Sequence, residues 1–248
     1  MKKQAIVSVK DFSLVINQKP IVKSLSFDVH PGEVFALLGA NGSGKTSTIR
    51  SLLGIYQASG GTLHINGERY TPHQARVVGY LPEERGLYTR SKVLDTMVYF
   101  GELKGLDRDA ARDFSLAYLD RVGLADKANS KIKKLSGGQQ QKVQLGVAII
   151  GEPKLLILDE PTKGLDPVNR KLLLDIVDEL QEKGAAVIYI THLMEEVERL
   201  ADRLLILKDG KARAYGSVAA VKKQFKSQSI EDVFVSIYNE SSKEPQHV

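Results

Sequence analysis

Eight residues, Gly39-Ala40-Asn41-Gly42-Ser43-Gly44-Lys45-Thr46, follow the pattern G-x-x-x-x-G-K-[ST]. Its glycines let backbone N–H groups turn inward around phosphate oxygens, and a helix starting there adds positive potential. Lys45 would reach the β- and γ-phosphates of a nucleotide, and Thr46, followed by Ser47, offers a hydroxyl to Mg²⁺. A second constellation is Leu155-Leu156-Ile157-Leu158-Asp159-Glu160, an apolar run ending in two carboxylates. An acidic pair at a strand end means little alone. Beside the glycine-rich loop the roles divide: Asp159 would hold Mg²⁺ and Glu160 would polarise an attacking water. His192, after Thr191 at the end of another apolar run, reads in that company as a contact to the γ-phosphate and the water.

These groups need elements to hold them. Val34 to Leu38 is continuously apolar, as in a strand buried on both faces, and it feeds the loop. A helix follows through Ile49, Leu52 and Leu53. Val7 and Val9 alternate with polar neighbours, Leu25, Phe27 and Val29 repeat that period, and Leu63 and Ile65 end at the hairpin signal Asn66-Gly67. From about Arg90 to Ile150 the pattern turns helical. Strands return at Leu155 to Leu158, Ala186 to Thr191 and Leu204 to Lys208, separated by helices at Val168 to Glu182 and Leu193 to Leu200, with Gly184 at a C-cap. Interleaved apolar strands and helices predict an α/β fold with a parallel sheet. No internal repeat is visible, and Asn239 to Val248 reads as a frayed tail.

Composition narrows the class. With 248 residues, 42% apolar and 26% charged, the chain fits an ordinary globular protein with a sizeable core. The absence of cysteine excludes disulfides and thiolate metal sites. Met1-Lys2-Lys3 looks like a signal-peptide start, but Ser8 and Lys10 break the apolar run behind it. No stretch of about 18 apolar residues offers a membrane helix. A net charge of +5 fits both a solvated basic surface and attraction to phosphates or an anionic membrane face. His30, His64 and His73 lack companions at metal spacing, and Lys222, Lys223 and Lys226 read as a solvated face.

Leu135-Ser136-Gly137-Gly138-Gln139, continued by Gln140, Gln141 and Lys142, resembles the signature of ABC-family ATPases. The order of parts is similar too: phosphate loop, a segment around Glu83, signature, Asp159-Glu160, Gly164-Leu165-Asp166, then His192. The resemblance runs from about Ile6 to Lys211. It implies a P-loop NTPase core with an antiparallel β subdomain and a helical insertion. On that pattern residues 1–238 form one domain, with 1–84 and 152–238 as core and 85–151 as insertion. It implies ATP and Mg²⁺, with Gly39, Asn41, Gly42, Ser43, Gly44, Lys45, Thr46 and Ser47 on the nucleotide. It also implies a second ATPase subunit, favoured as a second copy of this chain, because each ATP is shared by the loop of one copy and the signature of the other. Ser136, Gly137, Gly138 and Gln139 would act in trans, and Asp166 would form the subunit contact.

Gly79 to Tyr88 and Asp166-Pro167-Val168-Asn169 resemble the branch that serves ABC-2 type exporters of sodium, drugs and other small solutes. The resemblance then implies an integral-membrane permease partner, a peripheral position on the cytoplasmic face of the membrane, and no nucleic acid. The competing readings are a soluble ABC ATPase acting on a protein assembly, such as iron–sulfur cluster assembly, and one acting on nucleic acid or ribosomes. The exporter-like run argues against the former. The lack of a long coiled coil or of a second ATPase domain argues against the latter.

Three positions depart from the family pattern. Glu83 stands where glutamine is usual; a carboxylate still ligates Mg²⁺ and assists catalysis, but adds negative charge near the γ-phosphate. Ile16 falls where an aromatic ring usually stacks on adenine, which implies looser base selectivity with GTP as a substitute; nearby Phe12 is read as facing the core. Lys163 replaces a small residue, and the sequence offers no account of it.

Overall fold

The computed structural model describes residues 4–84 and 86–239. The tail expected from Asn239 onward lies outside the described residues except for Asn239 itself, as do Met1-Lys2-Lys3 and Arg85. Strands β1 (Val7–Ile16), β2 (Lys19–Val29) and β3 (Val34–Leu38) lead into helix α1 (Lys45–Leu52) and strand β4 (Gly60–Ile65). Next come β5 (Val78–Leu81), α2 (Val93–Leu103), α3 (Arg108–Arg121), α4 (Gly137–Ile149), β6 (Leu155–Asp159) and α5 (Pro167–Glu182). The chain continues with β7 (Ala186–Ile190), α6 (Met194–Leu200), β8 (Arg203–Lys208), β9 (Lys211–Ser217), α7 (Val218–Gln224) and α8 (Ile230–Asn239). It divides into two compact units, Met1–Tyr70 with Ile188–Val248, and Thr71–Val187.

In the first unit β2, β1 and β4 form an antiparallel sheet, while β3 pairs parallel with β8 and β8 antiparallel with β9. All five residues of β3 are fully buried, which accounts for its unbroken apolar run. Ala36 and Leu38 of β3 share a core with Leu204 and Ile206 of β8 and with Ile230, Val233 and Ile237 of α8. Phe12 is fully buried, as read from the sequence. The β1–β2 hairpin is longer than the alternation suggests. It turns through Asn17 and Gln18, both left-handed at φ 48° and 63°, the geometry of a two-residue hairpin turn. Asp11, at φ 49°, interrupts the alternation where the β1 register shifts.

In the second unit β5 pairs parallel with β6, from Val78 opposite Leu155 to Leu81 opposite Leu158. Helices α2, α3 and α4 account for the helical stretch. Lys104 donates to Ala148 O at 2.6 Å, Tyr118 to Lys142 O at 2.7 Å and Lys142 to Val122 O at 2.9 Å, tying α4 to its neighbours. Burial pushes the Lys104 ammonium down to about 8. Gly184, at φ 97°, lies just past the end of α5, as the sequence indicates. Parallel pairs alternating with helices, and a separate antiparallel sheet, make this the expected α/β architecture.

Candidate functional site

The glycine-rich loop joins β3 to α1 in the first unit. Helix α1 begins at Gly44, in a left-handed conformation (φ 108°), and no side chain caps it. A side chain at Gly44 would meet Val22 Cγ2 at 3.1 Å and Ile21 O at 3.2 Å, so the β1–β2 hairpin is seated against the loop. That hairpin carries Ile16, half-buried and paired with Lys19. Lys45 Nζ donates to the loop's own carbonyls, Gly39 O at 2.7 Å and Ala40 O at 3.1 Å. Ser43 N donates to Ala40 O at 3.1 Å, and Gly210 N to Ser43 O at 3.2 Å. Asn41 and Gly42 are exposed at the tip, while Thr46 and Ser47 are half-buried in the first turn of α1.

Gly210 was not singled out from the sequence. It lies in the turn between β8 and β9 at φ 74°, and its O accepts from Lys23 N at 2.8 Å. Its N–H on the loop and its O on β2 make it a wedge between loop and hairpin; a Cβ there would come within 2.3 Å of Ile21 O. The Asp209-Gly210 pair after an apolar strand was the available signal.

Also in the first unit, His192 is exposed after β7. Its turn is fixed by Glu196, only 2% exposed, whose Oε2 accepts from Tyr189 OH at 2.9 Å and Thr191 Oγ1 at 3.2 Å. Leu193 N donates to Thr191 Oγ1 at 3.0 Å. Sequence reasoning missed Glu196, since an acidic residue early in a helix normally reads as complementing the helix dipole.

In the second unit, Asp159 closes β6 and is 2% exposed. Glu160 follows at φ 50°, a left-handed conformation that costs a non-glycine residue energy and tends to mark functional turns. Glu83, just after β5, pairs with Lys163 at 2.6 Å. The bond to Glu83 is the main cause raising the Lys163 ammonium, with Glu160 adding to it. Both partners are well exposed, at 61% for Lys163 and 44% for Glu83, so the pair contributes little to stability. Within the pair the Glu83 and Lys163 charges offset each other.

The signature opens α4. Ser136 is its N-cap and Gln139 closes a capping box: Gln139 N donates to Ser136 Oγ at 3.3 Å and Ser136 N to Gln139 Oε1 at 2.9 Å. Gly137 and Gly138 lie in the first turn, whose amides have no carbonyl within the helix. Two glutamines further along brace neighbouring segments. Gln141 Nε2 donates to Pro161 O at 2.9 Å, just after Glu160, and Gln144 Nε2 to Pro82 O and Glu84 O, each at 3.1 Å, on either side of Glu83. Gln144 was missed from the sequence; its signal was a buried amide among apolar helix positions. Asp166 caps α5, accepting from Val168 N and Asn169 N at 3.0 Å each and from the Asn169 side chain. The bond from Asn169 N is the main cause holding the Asp166 carboxyl below the usual range.

The donor chemistry fits a nucleotide and Mg²⁺. Ser43 Oγ is buried in the loop with no hydrogen-bond partner, and the uncapped α1 turn faces the same loop. Thr46 in the first unit, and Asp159 and Glu83 in the second, each carry an oxygen of the hard kind that Mg²⁺ takes. Among the described residues no three acidic or histidine side chains gather into a cage.

The sequence model of the ABC transporter family matches residues 22–163. An uncharacterized ABC transporter ATP-binding protein of Methanocaldococcus jannaschii is 44% identical over 86% of this chain and 78% of its own length. The linearmycin resistance ATP-binding protein of Bacillus subtilis is 36% identical, covering 90% of this chain and 73% of its own. The Nod factor export ATP-binding protein I of Paraburkholderia xenovorans is 38% identical, over 82% and 68% respectively. A solved structure described as the ATP binding subunit of an ABC transporter superposes with a TM-score of 0.89 at 30% identity, covering 94% of this chain and 99% of that one.

Proposed function

Because this chain belongs to the ABC transporter family of ATP-binding proteins, whose members hydrolyse ATP, we propose that it powers a separate membrane permease that exports a small solute. The observation that carries the ATPase half is the side-chain-free start of α1, set in a loop with a buried, unpartnered Ser43 hydroxyl. The exporter half rests on likeness to relatives named for linearmycin resistance and Nod factor export. Among the described residues no helix is long and apolar enough to cross a membrane. The reading therefore assigns the membrane span to the permease and this chain to its cytoplasmic face, as one ATPase domain over 1–238 with a helical insertion at 85–151.

In this reading the loop amides and Lys45 hold the phosphates, Lys45 exchanging the Gly39 and Ala40 carbonyls for phosphate oxygens. Ile16 lies against the base. Thr46, Asp159 and Glu83 would hold Mg²⁺, which when bound would supply positive charge against the phosphates. Glu160 takes the proton of the attacking water, and His192 orients that water and the γ-phosphate. Ser136, Gly137, Gly138 and Gln139 of a second copy complete the site. The Ser136 hydroxyl accepts within its own cap and keeps its proton to donate to the γ-phosphate. Asp166 meets the second copy beside the site.

Glu160→Gln is expected to bind ATP, lose at least roughly 100-fold in turnover, and accumulate as an ATP-held dimer by light scattering. Normal turnover in a variant that stays monomeric would remove Glu160 from this role. Purification of the tagged chain from detergent-solubilised cells tests the partner. A multi-span membrane protein in stoichiometric amount supports export; a soluble scaffold in its place overturns it.

A further inference from the structure

The last described helix reaches the phosphate loop. Tyr238 OH accepts from Ala40 N at 2.7 Å and donates to Leu207 O at 2.9 Å, so one hydroxyl joins the loop to the end of β8. Two neighbours contact the ring. Phe234 stacks on it at 4.4 Å between centroids, and the Lys208 ammonium lies 5.0 Å from its centre. Lys208, 5% exposed, also donates to Ile237 O at 2.6 Å and Tyr238 O at 3.2 Å, closing the carbonyl end of α8. Below, Ile237 and Val233 pack with Ala36 and Leu38 of β3, the strand that feeds the loop.

The backbone of Ala40 is the hub of the loop. Its carbonyl serves both Ser43 N and Lys45 Nζ, and its N–H is taken by Tyr238. When Lys45 moves to phosphate, that carbonyl loses one of its bonds, whereas the Tyr238 bond needs no exchange. A loop with three glycines at positive φ has much freedom to lose on binding, and a contact that restricts it beforehand raises affinity without entering the chemistry. We propose that Tyr238 is a positioning residue for the phosphate loop, so that α8 sets affinity for ATP and leaves the hydrolytic step unchanged. The proposal rests on the reading of Gly39 to Thr46 as the ATP loop.

Two variants of the full chain separate this role from scaffolding. Tyr238→Phe removes only the hydroxyl and keeps the ring contacts. Phe234→Leu loosens the stack and keeps the hydroxyl. For Tyr238→Phe, the KM and Kd for ATP are expected to rise about five- to tenfold, the scale of one hydrogen bond. Its kcat should stay within about twofold, Tm should change little, and the Ala40 amide should exchange faster by NMR. For Phe234→Leu, Tm should fall and KM should hold. The reverse pattern, or KM rising in step with lost Tm in both variants, overturns the proposal. Failure of the wild-type chain to bind ATP would instead sink the reading of the loop.

Discussion

Two helices in this chain begin at glycine-rich segments, and they begin in opposite ways. Helix α1 starts at Gly44 with no side chain at its N-terminus, and its loop is kept in shape by neighbours: the Gly210 wedge, Tyr238, and Lys45 folded back on its own carbonyls. Helix α4 starts at Ser136 inside a closed capping box, so its first turn is closed by its own side chains. The first arrangement suits a site that must wrap a phosphate chain with backbone amides. The second suits a surface presented ready-made to something else, with one hydroxyl proton and two glycine amides on offer. On the proposed reading, the two helix starts would fail by different routes, one through its surroundings and the other through its own side chains.

The most disruptive challenge to this contrast is Gly210→Ala. The added carbon would strike Ile21 O in a left-handed position, at a cost of about 2–3 kcal/mol to the loop. ATP affinity should then drop by roughly 100-fold in a titration with a fluorescent nucleotide. Unchanged affinity would show that the loop does not lean on its neighbours. Next is Ser136→Ala. Loss of the cap should lower stability by about 1 kcal/mol, and turnover should fall about tenfold as one phosphate hydrogen bond is lost. Binding of ATP to dilute, monomeric chain should stay as it was; if it weakens equally, the two helix ends are not separate parts.

The smallest effect concerns charge beside α4. Lys163→Ala alone leaves the Glu83 carboxylate unpaired and should slow turnover roughly threefold through repulsion of phosphate. Adding Glu83→Gln should recover most of that rate in a double-mutant cycle. Strictly additive losses would mean that the 2.6 Å pair has no bearing on the reaction.

What could be read from the sequence follows the same division. The loop from Gly39 to Thr46, the Ser136 cap and the Asp159-Glu160 turn each depend on residue types within a few positions, so a local pattern reveals them. The strands with unbroken apolar runs were legible because burial on both faces leaves no polar position to confuse the period. The supports were not legible. Ala40 and Tyr238 are 198 positions apart, and Glu83 and Lys163 are 80 apart, so no window of sequence holds both partners. The turn at Asn17 and Gln18 was hidden for a different reason: it takes two left-handed residues without the glycine that usually announces them.

The bare start of α1 has a consequence for how this protein varies. A cradle made of peptide groups leaves a codon change only its glycines and a few side chains, Ser43, Lys45 and Thr46 among them, and replacing any of these removes a contact outright. Heritable tuning of nucleotide affinity must therefore enter from outside the motif, through the hairpin, the turn at Gly210 or the last helix. A mutational scan confined to the loop would return chiefly loss of function, and the graded phenotypes would map to residues that the motif does not include.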